Sequence, residues 1–247
     1  FVEQLVKRVT DKPVVRIPHA IDVKILRPYS RTEFALPDDR FLFLFNFDFY
    51  SFADRKNPWA TIEAFRRAFP ISEDRVGLVI KCHNGERHIE KFKLLQELAE
   101  QDSRITILDR LLSREEMYGL QSVCDAYVSL HRSEGFGLGM AECMALGKPV
   151  IGTGYSGNLE FMDSENSCLV NYTLIPVKPG QFIYYEPGWM WADPDVDHAA
   201  KYMVRLFEDP DYRQRISTRA AADMAARHNH QIVGKIIKDR LDHLNKR

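Results

Sequence analysis

From Phe41 onward, short apolar runs alternate with longer segments of helical period. Phe41-Leu42-Phe43-Leu44-Phe45-Asn46-Phe47 reads as a strand, followed by strands at Val76 to Lys81, Arg104 to Leu108, Ala126 to Leu130 and Pro149 to Gly152. Pro58 to Phe69 is a helix, with Pro58 suited to its first turn. Ile89 to Glu100 is amphipathic, with Phe92, Leu95 and Ala99 on one face. Ser113 opens a helix through a capping box to Glu116, and Leu138 to Leu146 forms another. Asp195 to Glu208, Asp211 to Arg227 and Gln231 to Leu244 are three helices with little strand between them. Strands that are apolar throughout are buried on both faces, so the pattern predicts an α/β domain: a doubly wound parallel sheet with helices on both sides. In such sheets ligands bind at the carboxyl ends of the strands, near helix N-termini.

The flanks differ. Phe1 to Val9 reads as the end of a helix and Val14 to Pro18 as a short strand, and Pro18, Pro28 and Pro37 punctuate an irregular stretch up to residue 40. Residues 1–40 are therefore expected to be a linker and entry segment, 41–230 the α/β domain, and 231–247 a terminal helix. Tyr172 to Trp191 breaks the alternation with three prolines and a group of aromatics, and reads as an insertion or hairpin laid over the domain. Its Tyr184, Tyr185, Trp189 and Trp191 either stack on a sugar or cover the core beneath.

Composition narrows the function. The 247 residues are 45% hydrophobic and 28% charged, which excludes a disordered or fibrous chain. With 34 Lys and Arg against 35 Asp and Glu, no basic excess drives binding to nucleic acid or an anionic membrane. Any phosphate recognition must be local. Cys82, Cys124, Cys143 and Cys168 form no CxxC pair, so neither a metal site nor a disulfide framework is expected, and a reducing cytoplasm fits. The chain begins at Phe1 rather than Met, as a fragment or processed product would.

The chemistry concentrates in His131 to Ile151, HRSEGFGLGMAECMALGKPVI. A strand ends just before it, Glu134 precedes Gly135, Gly137 and Gly139, and Glu142 follows inside a helix, with seven residues between the two glutamates. Glycines at a strand-to-helix turn admit a ligand to the backbone, although close helix packing needs the same geometry. A helix N-terminus suits a diphosphate. Glu142 can accept hydrogen bonds from two adjacent hydroxyls, as on a ribose. Glu134, in the turn, would repel a diphosphate and needs sugar hydroxyls or a positive charge developing at a sugar carbon. Acidic residues near helix N-termini also occur simply to complement the dipole. A dinucleotide fingerprint fails in both registers, because Met140 or Glu142 stands where its third glycine is required.

The run E-G-F-G-L-x-x-A-E-x-M-A-x-G-x-P-V-I resembles the E-x7-E signature of the group 1 (family 4) retaining glycosyltransferases. The resemblance implies one half of a GT-B fold: a Rossmann-like, carboxyl-terminal domain that binds the nucleotide-sugar donor. Lys56, in Asp54-Arg55-Lys56-Asn57-Pro58, falls where the family places a diphosphate-binding lysine. Gly154 to Glu160 is similar to the family's glycine-rich turn, Trp191 to Asp195 to the segment before its last helices, and Ile17 to Asp22 to its interdomain linker. Where the family often has Gly-Arg before the lysine, this chain has Asn46 to Ser51, with Arg55 adjacent to Lys56 instead.

The resemblance implies a metal-independent, retaining hexosyltransferase of polysaccharide biosynthesis that needs no cofactor. Its donor would be a nucleotide-diphosphate sugar, and its acceptor a glycan or lipid-linked glycan held by the other domain. Glu134 would be the catalytic carboxylate. Arg55, Lys56, Gly135, Phe136, Gly137, Leu138 and Glu142 would bind donor, and no residue a metal. The terminal helix would pack on the other domain. The location would be cytoplasmic, with at most peripheral attachment to the inner face of a membrane. Alone, the chain is expected to bind nucleotide weakly and to be inactive. The alternative is a nucleotide-binding domain without transferase activity. His131 and Arg132 follow a strand end, where a structural histidine is the commoner case, and Asn158 and Glu160 are as readily structural as functional.

Overall fold

The computed structural model describes residues 2–183 and 185–245. Phe1 of the expected first helix, Tyr184 of the aromatic group, and Lys246 and Arg247 of the expected terminal helix lie outside the described residues. The elements run α1 (Val2–Val6), β1 (Phe41–Asn46), α2 (Ala53–Lys56), α3 (Pro58–Ala68), β2 (Val76–Cys82), α4 (Ile89–Glu100), β3 (Ile105–Asp109), α5 (Arg114–Val123), β4 (Ala126–Ser129), α6 (Leu138–Ala145), β5 (Val150–Thr153), β6 (Cys168–Val170), β7 (Tyr172–Pro176), β8 (Met190–Pro194), α7 (Val196–Glu208), α8 (Pro210–Arg227) and α9 (His230–Asn245). Six strands form one parallel sheet in the order β3-β2-β1-β4-β5-β6. This is the Rossmann-like α/β fold that the pattern predicts. Chain direction across the sheet reverses between β1 and β4, which opens a crevice at their carboxyl ends.

The period of two along each strand assigns side chains to two helical layers. Phe43 and Phe45 of β1 point into a cluster with Phe65 of α3, Leu95 of α4 and Met203 of α7. Leu42 and Leu44 point the other way, against Leu120 of α5, Met140 and Met144 of α6 and Met224 of α8. A sheet buried on both faces in this way holds its carboxyl edge rigidly.

Two details differ from the sequence reading. Val14 to Pro18 is not a strand and pairs with none, and Val15 and Ile17 are exposed. It is fastened by an Arg16–Glu160 ion pair at 3.2 Å and, further on, by Ile21 N–H donating to His228 O at 2.7 Å. β6 escaped the pattern because three residues show no period. The Tyr172 to Trp191 stretch is an antiparallel hairpin, β7 with β8, standing apart from the main sheet. Entry-segment residues Phe34 and Leu36 are buried in the second cluster, whereas Ile232, Ile237, Leu241 and Leu244 on α9 are exposed. The four cysteines are free and buried. Among the described residues no helix is long and apolar enough to cross a membrane.

Asp102 and Arg104 are a buried ion pair at 2.7 Å, and the guanidinium also donates to the carbonyls of Phe69, Pro70 and Glu73. Asp102→Ala would strand a buried cation and is expected to cost about 3–5 kcal/mol. Urea denaturation of the two proteins checks this.

Candidate functional site

Two loops meet at the crevice. The first follows β1. Asp48 caps a short turn by accepting from Tyr50 N–H at 2.9 Å, and Phe52 then adopts φ 65°, ψ 106°. That left-handed backbone is unfavourable for an aromatic residue. It lets the Phe52 carbonyl accept from the N–H groups of both Arg55 and Lys56 at 3.0 Å, which turns α2 toward the second loop. The second loop runs from β4 to α6 and carries Glu134. Arg132 N–H donates to Arg55 O at 2.8 Å, tying the loops together.

Glu134 is 8% exposed. Lys56 Nζ donates to its Oε1, and Arg55 Nη1 lies 3.4 Å from its Oε2 while donating to Ser133 O at 2.7 Å. The two cations expected on a diphosphate are therefore paired with the carboxylate in this state. Burial pushes Glu134 up, but the Lys56 and Arg55 cations more than offset it and hold the carboxyl below its ordinary value.

The glycines, ambiguous in sequence, separate here. Gly137 has φ 95°, so the backbone itself demands glycine, and a Cβ on Gly139 would meet Tyr127 Oη at 2.7 Å. A Cβ on Gly135 would meet nothing within 4 Å. Neither packing nor torsion calls for glycine at 135, and the space left open belongs to the cleft. Gly157 has the opposite reason: a Cβ there would lie 2.0 Å from Gly135 O. Its N–H donates to Glu134 O at 2.9 Å, and Ser156 Oγ accepts from Glu134 N–H at 2.8 Å. The turn after β5 thus fixes the backbone of the Glu134 loop.

Glu142 is buried on α6. Its Oε2 accepts from Gln121 Nε2 at 3.0 Å and its Oε1 lies 3.9 Å from Arg114 Nη1. Burial pushes it above its ordinary value, with Gln121 and Arg114 offsetting only part. Arg55, Lys56, Glu134, the Gly135 to Gly139 turn and Glu142 all line one cleft of about 1030 Å³. Phe136 lines it with its ring 4.7 Å from His19, and Leu138 lines it half exposed.

Other candidates fall outside the cleft lining. His131 is fully buried; its Nε2 faces two acceptors, Asn158 Oδ1 at 3.1 Å and Tyr155 O at 3.3 Å, so Nε2 carries the proton and Nδ1 accepts from Ser129 Oγ. Burial lowers its pKa. It is a neutral strut. Asn158 completes the strut by donating to Thr153 O, and Glu160 pairs with Arg16. Arg132 holds Asp193 of β8 at 2.9 Å, and Ala192 N–H donates to Arg132 O, so the hairpin is tied to the site. Trp191 is buried and Trp189 exposed, while Phe182 reaches the cleft edge-on to Phe52 at 4.9 Å. Sequence reasoning missed Asn46, Lys81, Tyr127, Gln121 and Phe182. The signal for the first two was available: each is a polar residue closing an otherwise apolar strand.

Fold and cleft define a Rossmann-like domain with its site at the topological switch point. The chain belongs to the glycosyl transferases group 1, whose family model matches residues 31–223. Its fold is that of the GT-B glycosyltransferases. It is similar to the sucrose-phosphate synthase of Thermosynechococcus elongatus, with 20% identity and a TM-score of 0.70 over 99% of this chain and 56% of that one. It is also similar to Anabaena HepE in complex with UDP and glucose, with 17% identity and a TM-score of 0.64 over 86% of this chain and 51% of that one. The C-terminal domain of a group 1 family glycosyl transferase from Francisella tularensis matches with 18% identity and a TM-score of 0.62, over 85% of this chain and 99% of that one. The chain thus spans about half the length of the first two. No curated protein matches it significantly in sequence.

The raised pKa of Glu142 carries a stability sign. A carboxyl whose folded value exceeds its unfolded value favours the folded state at low pH and costs stability once pH rises above the unfolded value. Glu142→Gln keeps an acceptor for Gln121 and removes that cost. The free variant is expected to melt at the same or a higher temperature than the wild type at pH 7 and to lose any advantage at pH 4, as calorimetry checks.

Proposed function

We propose that this chain is the donor-binding half of a retaining, metal-independent hexosyltransferase acting on a nucleotide-diphosphate sugar. The observation that carries the reading is the convergence of Lys56, Arg55, Glu134, the open Gly135 and Glu142 on one cleft at the switch point. The complex of the Anabaena neighbour with UDP and glucose supports a nucleoside diphosphate with a hexose.

The diphosphate lies against the Gly135 to Gly139 turn and the α6 N-terminus, where a helix end offers free N–H groups to an anion. Lys56 and Arg55 turn from Glu134 to the incoming phosphates. Glu142, steadied by Gln121, takes the ribose diol. Glu134, released from its cations, faces the sugar. As the bond between the anomeric carbon and the phosphate oxygen breaks, negative charge builds on the departing nucleoside diphosphate and positive charge on the sugar. Fixed cations and the helix end stabilise the first, and the carboxylate the second. An acceptor hydroxyl, supplied with its glycan or lipid-linked glycan by a second domain, attacks from the face the diphosphate leaves and passes its proton to the departing phosphate oxygen. Cytoplasmic placement and a role in polysaccharide biosynthesis are part of the same proposal.

Calorimetric titration with GDP, UDP, dTDP, ADP, GDP-mannose and UDP-glucose tests it. One base is expected to bind saturably, with affinity reduced about tenfold or more in Glu142→Ala, because two hydrogen bonds to a charged group are lost. No binding by any of them at millimolar ligand, to this chain or to a longer one carrying the acceptor half, overturns the reading.

A further inference from the structure

Lys81 is the penultimate residue of β2, at the carboxyl edge of the sheet. It is 8% exposed and lines the cleft. Asn46 of β1 is its register partner, so the two side chains leave the same face of the sheet, with their strands about 4.8 Å apart. One step back on that face, Leu44 and Val79 belong to the apolar cluster beneath α5 and α6. The lysine stem therefore rises out of that layer into the floor of the cleft.

Its ammonium makes no hydrogen bond or ion pair among the described residues. Asp48 and Asp109 are the carboxylates that act on it from a distance. Asp48 is engaged by Tyr50 N–H at 2.9 Å and Asn84 Nδ2 at 2.8 Å, and Asp109 by the Cys82 thiol at 3.8 Å. Burial pushes Lys81 below the ordinary lysine value. Asn46 Oδ1, beside it, is also without a partner. A partly desolvated ammonium with no counter-ion is costly to hold, and the cost is recovered when an anion arrives. The other Lys and Arg side chains lining the cleft differ in this respect, since Lys56 and Arg55 are matched to Glu134 and Arg114 faces Glu142.

The sheet order fixes which anion. β2 lies on the side of β1 away from β4, so Lys81 is displaced from the Glu134 loop toward β3 and α5, whose Gln121 holds Glu142. Granted the nucleotide reading of the cleft, on which this rests, that is the ribose side of the diphosphate. An ammonium is a point charge that recognises an anion rather than the outline of a base. We propose that Lys81 is a phosphate-binding cation of the site alongside Lys56 and Arg55, binding the phosphate nearest the ribose from the cleft floor.

The test compares this chain with Lys81→Met, using as probes the nucleoside diphosphate, monophosphate and free nucleoside of the base that the wild type prefers. The variant is expected to lose about tenfold or more in affinity for both phosphates, the worth of one charge-assisted hydrogen bond, and nothing for the nucleoside. Its melting temperature without ligand is expected to stay level or rise, since an unpaired buried charge has been replaced by an apolar chain. Unchanged phosphate affinity overturns the assignment. So does an equal loss for the nucleoside, which would make Lys81 a base contact, or a clear fall in melting temperature, which would make it a structural cation. In each of those cases wild-type binding survives and only this inference fails. A wild type that binds no nucleotide overturns the nucleotide reading and this inference with it.

Discussion

The site is organised around one electrostatic arrangement: a single buried carboxylate, Glu134, held between Lys56 and Arg55. Desolvation alone would protonate Glu134, and the two cations keep it ionised. The converse also holds. Without Glu134, Lys56 and Arg55 would be partly buried cations with no carboxylate partner among the described residues. The triad is a resting state in which each charge tolerates burial because of the others. Under the proposed function, a diphosphate competes for the cations and frees the carboxylate at the place where the sugar would lie.

Much of the surrounding structure serves to hold that triad. Phe52 occupies an unfavourable torsion so that α2 can aim both cations at one point. Gly157 lies so close to Gly135 that no side chain fits, which clamps the Glu134 backbone from the β5 side. His131, neutral and fully enclosed, braces the strand end to Asn158. Arg132 fastens the β7–β8 hairpin to the same loop, and through it Phe182 comes to the cleft rim. These contacts are rigid because both faces of the sheet beneath them are packed, with phenylalanines on one side and leucines and methionines on the other.

The strands and helices were legible in the sequence because a parallel sheet buried on two faces leaves uninterrupted apolar runs, as in Phe41 to Phe45 and Val76 to Ile80. Two readings failed for local reasons. Val14 to Pro18 has a strand's composition but pairs with no strand, and Cys168–Val170 pairs with β5 on too few residues to display a period. At the site, the residues of the Glu134 to Glu142 run were visible because spacing along a single turn and helix survives in one dimension. The pairing of Glu134 with Lys56 was not, since it joins residues 78 apart that only the β1–β4 adjacency brings together. Asn46 and Lys81 were hidden differently: as polar ends of apolar strands they read as the place where a strand stops.

The central claim is that Glu134 and a diphosphate compete for Lys56 and Arg55. The direct measurement is the affinity of the free nucleoside diphosphate, without sugar, for the wild type and for Glu134→Gln. The account predicts tighter binding to the variant, because the cations no longer have to leave a carboxylate. Weaker binding to Glu134→Gln would contradict it, and would mean that the carboxylate prepares the cations for phosphate rather than withholding them.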